Sequence, residues 1–119
     1  MADLADLARR HLEAAHRDEH GRSAELVLHD GVLRQTVIAL RAGAELGEHN
    51  SPHAASVQVL HGSVTVTGTR TSPLRAGQLA VLEHARHSVR AEEDAVFLLT
   101  TVTGLDPRDV PAEGPSRDR

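Results

Sequence analysis

The sequence predicts an all-β sandwich or barrel preceded by one N-terminal α-helix and followed by a disordered C-terminal tail. Three observations carry this. Short runs of Val, Leu, Ile and Thr recur from residue 24 to residue 102, separated by Gly, Pro and Asp turn signals. Only residues 3–19 place apolar side chains at helical spacing. From Asp106 the chain reads DPRDVPAEGPSRDR, charged, Pro-rich and nearly without apolar residues. Such a segment cannot bury enough surface to offset its ordering entropy. No stretch repeats at a fixed period, which excludes a solenoid or a propeller. The expected organisation is an N-terminal helix over 1–21, packed on the barrel or on a partner subunit, a β-barrel over 22–104 and a tail over 105–119.

At 119 residues the chain is one domain with a single modest core. A net charge of -4 and a lone aromatic residue besides histidine, Phe97, argue against a nucleic-acid surface. No apolar run approaches the roughly 18 residues that span a membrane. The N-terminus is charged from Asp3, unlike a secretory signal, so a cytoplasmic location is expected. The absence of cysteine removes disulfides, thiolate metal sites and Cys nucleophiles together. With Lys, Tyr and Trp also absent, the nine histidines are the main candidates for metal binding or proton transfer.

In chain order, Asp3 serves as N-cap for a helix whose Leu4, Leu7, Ala8, Leu12 and Ala15 share a face, and Gly21 stops it. His11, His16 and His20 read as solvated helix residues. Residues 24–28 and 32–40 are strand-like around an Asp30-Gly31 hairpin signal, with His29 beside the turn in solvent. Val32, Arg34, Thr36, Ile38 and Leu40 fall on one face; Leu33, Gln35, Val37 and Ala39 fall on the other. Further strands are expected over 54–60, 63–67, 78–82, 87–90 and 95–102, with a polar loop over 68–77 and turns over 83–86 and 92–94. The total is seven or eight strands.

Two segments carry the chemistry. Val57 and Val59 point inward by parity, and Ala55, His53 and, in an extended backbone, His49 share it. His87 shares parity with Val89. These histidines can meet in one cavity at the distance imidazole ligands use, about 2.0–2.1 Å from a metal. Imidazole suits several metals, so the donor type alone does not choose one. There is no strand–elbow–helix context for a serine nucleophile and no phosphate-cradling glycine loop.

The stretch Gly43–Gly62, with its VQVLHG ending followed by alternating Val and Thr, resembles the first motif of the cupins, Gly-x5-His-x-His-x3,4-Glu-x6-Gly. Gly77-Gln-Leu-Ala-Val-Leu-Glu-His-Ala-Arg-His87 is similar to the second, Gly-led motif, with His87 as its expected ligand. The likeness covers roughly residues 24–103 and implies a small single-domain cupin, an RmlC-like jelly roll. The sequence departs from the pattern at the ligands. Counting back from Gly62 puts Ala55 at the family's carboxylate position, and aligning His49 with the first motif histidine puts Ser51 at the second. If the loop carries two extra residues, His49 takes the second histidine's role and His53 replaces the glutamate. Glu83 and His84 stand where Pro-Gly is usual.

Three ligand sets are compatible with this: His49, His53 and His87; a degenerate, empty or weakly binding site; and a site completed by Gln58, Glu48 or His84. His61, before the turn glycine, and His84 read as exposed. The resemblance implies a divalent transition metal (Fe, Ni, Mn, Zn or Cu), a small-molecule ligand in the barrel, and oxygenase- or isomerase-type chemistry. The alternative is a non-catalytic metabolite-binding or sensing cupin without a tight metal. A homodimer is expected in either case, since family members commonly pair through their sheets and an edge strand left bare is a liability.

Overall fold

Residue periodicity switches at Gly21, and the backbone follows. The computed structural model describes residues 1–50, 54–82 and 86–102, with the side chains of 48–50 and 86 outside the description. The expected tail therefore lies outside the described residues. One helix, α1 (Leu4–Arg17), precedes nine strands: β1 (Arg22–Asp30), β2 (Leu33–Leu40), β3 (Glu45–Asn50), β4 (Ala54–His61), β5 (Ser63–Thr67), β6 (Thr71–Arg75), β7 (Leu79–Val81), β8 (Arg86–Ala91) and β9 (Ala95–Val102). They form a five-stranded sheet in the order β1-β2-β9-β4-β7 and a four-stranded sheet in the order β3-β8-β5-β6. Every strand pair is antiparallel.

The expectation of seven or eight strands fell short at two places. Residues 68–77, expected to be a polar loop, contain β6, which pairs with β5 in register from Ser63↔Arg75 to Thr67↔Thr71. Pro73 hid this strand. It is tolerated because β6 is the outer strand of its sheet, where a missing N–H need break no ladder. The glycine-rich approach to His49 contains β3, which pairs with β8.

Alternation along the strands builds two cores. Ile38, Leu40, Val57, Val59, Val64, Val89 and Phe97 fill the space between the sheets. Val37, Ala39, Val96 and Leu98, on the opposite face of the five-stranded sheet, are buried under Leu7 and Ala15 of α1. The second half of β2 is thus apolar on both faces because both faces are covered. The helix begins where expected: the Asp3 side chain accepts the Asp6 N–H at 3.2 Å.

Of the helix histidines, all expected to be solvated, His16 and His20 are exposed and His11 is not. His11 Nδ1 lies 2.7 Å from Ser23 Oγ, and its Nε2 lies 2.7 Å from Glu25 Oε1, which fastens α1 to β1. His16 Nε2 lies 2.6 Å from Asp94 Oδ2, while Asp94 Oδ1 accepts the Ala42 N–H at 2.9 Å. These two contacts, the backbone N–H first, hold the Asp94 carboxyl below the usual carboxylate range. Arg41 Nη1 donates to the His16 and Asp18 carbonyls, satisfying orphan acceptors at the helix end. His29 is exposed beside the turn as expected, and its Nε2 turns back to the Gly31 carbonyl at 3.1 Å.

Beyond α1 the outer face of the five-stranded sheet continues as a strip. Cross-strand register aligns Leu28, Gln35, Thr100, Ser56 and Val81 in one row. A second row runs Asp30, Leu33, Val102, Ala54. Apart from Asp30 at the β1 end, none of these side chains is charged, in a chain where 25% of residues are.

Candidate ligand cavity and histidine pair

His87 is the only buried polar or charged residue among those described, 2% exposed. It stands on β8 two residues from Val89, also 2% exposed, so both face the interior as parity requires. Its neighbour across the ladder is His49: the β3–β8 register pairs His49 with His87 directly, and Leu46 with Val89.

Those two pairings cannot both arise from a regular strand. Two residues separate Leu46 from His49, but only one separates Val89 from His87. One extra residue in β3 makes a bulge between Leu46 and His49. Leu46 packs on the inner core. Without the bulge, the position opposite His87 would fall to Glu48. The bulge shifts β3 by one residue, and with it the register that a period-two reading assigns. Gly47 sits in this step, and an added Cβ there would meet nothing within 4 Å.

A cavity of about 100 Å³ opens beside His87, between the sheets. Val66, Leu74, Ala80 and Leu82 give it apolar walls. Gly68, Arg70 and Ser72, on the β5–β6 hairpin, complete it. Ser72 pairs with Val66, and Leu74 pairs with the fully buried Val64, so these positions share the inner face. Arg70 and Ser72 were not singled out as site residues from the sequence. The signal was present: Arg70, Ser72 and Leu74 alternate with the parity of an inward-facing strand, but Pro73 masked the pattern.

Of the other expected site residues, Ala55 is buried on the inner face of β4 and carries no donor. Gln58 alternates with the fully buried Val57 and Val59, and sits opposite Leu79 and Leu98. It lies on the outer face and cannot complete a site between the sheets. His61 is exposed, as expected. His53 and His84 lie outside the described residues, as does the side chain of Glu48. Among the described residues no three His, Asp or Glu side chains cluster as a metal site would. What the described residues offer a metal is the donor chemistry of a buried imidazole with a second histidine opposite it in register, a combination that suits a divalent transition metal.

Two facing antiparallel sheets closed over one core, with an N-terminal helix outside, make this a small cupin jelly-roll domain. The comparison with solved structures agrees. A conserved protein of unknown function from Streptococcus pyogenes is 27% identical, with a TM-score of 0.67 over 75% of this chain and 80% of that one. An RmlC-like cupin protein from Desulfovibrio desulfuricans is 26% identical, with a TM-score of 0.61 over 68% and 81% of the two chains. A salicylate 1,2-dioxygenase from Pseudaminobacter salicylatoxidans is 19% identical, with a TM-score of 0.70 over 82% of this chain but 33% of that one. The last is a likeness of fold to one part of a larger enzyme. No protein-family model and no curated protein matches the sequence. Among the described residues no helix is long and apolar enough to cross a membrane.

Proposed function

We propose that this chain is a small-ligand-binding cupin in which His87 and His49, joined by His53 from the connection before β4, hold a divalent transition metal (Fe, Ni, Mn, Zn or Cu) beside the cavity. The observation that supports this most directly is the register of His49 with His87, combined with the burial of His87. Directly opposed residues in an antiparallel pair bring their Cβ atoms to roughly 4.5–5.5 Å, close enough for two imidazoles to share one ion. A bound ion would act as a Lewis acid with open positions for a ligand. The protein's own contribution is a small, partly open cavity beside His87 that admits a small molecule. Oxygenase- or isomerase-type turnover of such a molecule is the corresponding activity.

Elemental analysis of untagged protein tests the reading. We expect about one equivalent of a divalent transition metal, lost in His87→Ala and His49→Ala. Absence of metal in the purified chain, with no affinity on titration, would sink it and favour a metabolite-binding cupin that needs no metal.

A further inference from the structure

We infer that the cavity beside His87 takes a small carboxylate, with Arg70 as its counter-ion. This rests on the reading of that cavity as the ligand site, but not on the metal. Arg70 is exposed on the β5–β6 hairpin and lines the cavity. No ion pair holds its guanidinium to a carboxylate among the described residues, as is also the case for Arg17, Arg34, Arg75 and Arg90, but of these Arg70 alone lines the cavity. No carboxylate lines the cavity among those residues, although the chain as a whole is acidic at -4. Ser72 adds a hydroxyl able to donate to an anion. A cation and a hydroxyl donor beside the apolar side chains of Val66, Leu74, Ala80 and Leu82, with no acid among the described lining residues to neutralise them, select a negative headgroup on a short apolar body.

Size narrows the class. A dry cavity of about 150 Å³ holds a six-carbon ring, so about 100 Å³ holds four or five heavy atoms. Propionate and acetate are within that size, whereas a phosphosugar or an aromatic acid is not.

Titration calorimetry with propionate and its neutral isostere propionamide reads this out. Wild-type protein should bind propionate at least about tenfold more tightly than propionamide. Arg70→Ala should lose that preference, and Arg70→Lys should keep part of it, because lysine lacks the bidentate fork. Arg70 is exposed, so both variants should keep the wild-type unfolding midpoint. Equal binding of the two probes, no binding of either, or an undiminished preference in Arg70→Ala each overturns the inference. Metal analysis of the same samples keeps the two readings apart. Metal-free protein that prefers propionate would sink the metal and leave the carboxylate site; metal-loaded protein with no preference would do the reverse.

Discussion

Gly62 and Asp94 meet backbone to backbone: a Cβ placed on Gly62 would stand 2.0 Å from the Asp94 carbonyl oxygen. Gly62 joins β4 to β5, where the chain passes from the five-stranded to the four-stranded sheet. Asp94 precedes β9, where the chain passes back. The two crossings therefore lean on each other at the same end of the barrel. Gly62 also has a φ of 74°.

Gly62→Ala should accordingly be among the most damaging single substitutions, about 3 kcal/mol or more, since backbone strain and a backbone clash add. Gly43→Ala is the control, because Gly43 has a φ of 85° but open space at its Cβ. It should cost only about 1–2 kcal/mol. Denaturant unfolding of both variants gives the comparison, and equal losses would show that the Asp94 contact is unimportant.

The His16–Asp94 contact gives the helix an acid-sensitive anchor. The Asp94 carboxyl is held below its ordinary value, first by the Ala42 N–H and then by His16. A depressed folded pKa contributes stability that is present above the unfolded value, about 3.9, and lost as pH falls through the folded one. Asp94→Asn should be less stable than wild type at neutral pH, and the gap should close below about pH 4. His16→Ala should cost about 0.5–1.5 kcal/mol at neutral pH. Unfolding midpoints between pH 3 and pH 7, quoted as approximate bounds of that window, provide the check.

His11 is the other anchor. It is 14% exposed and reaches both Ser23 and Glu25 from the helix. His11→Ala should loosen α1 while leaving the inner core intact, costing about 1–3 kcal/mol. Hydrogen exchange should accelerate in Leu4–Arg17 and stay slow in β9. Uniform acceleration would mean that helix and barrel unfold as one unit.

The bulge in β3 can be edited directly. Gly47→Ala meets open space and should change stability by less than about 1 kcal/mol. Deleting Gly47 removes the extra residue and leaves a regular ladder in which His49 still faces His87. The deletion variant should keep its circular dichroism and, under the reading proposed above, its metal. Loss of metal with the fold intact would mean that the bulge itself, and not the register alone, shapes the site.

The helix, both hairpin faces of β2 and the inward valines of β4 were legible because each depends on local period and on caps that the residues announce. Asp3, Ile38 and Val57 are read the same way in sequence and in space. What failed was non-local. His11 looked solvated, and the contact of the exposed His16 was missed, because their partners, Glu25 and Asp94, lie on other elements. β6 was hidden by Pro73, whose cost vanishes at a sheet edge, and nothing in the sequence says which strand is an edge. Arg70 and Ser72 were overlooked with it. The register of His49 with His87 was anticipated only as a shared cavity, because parity was counted along an unbroken strand.

The step at Gly47 has a wider meaning for how such sites are recognised. A motif written as gaps between histidines measures distance along the chain, whereas coordination depends on phase across the sheet. One extra residue in β3 advances the count without advancing the partner strand. Two chains could then carry differently spaced histidines yet present the same donors, or identical spacings and opposite faces. For this barrel the meaningful address of His49 is its rung on the ladder with β8, and relatives would be better compared rung by rung.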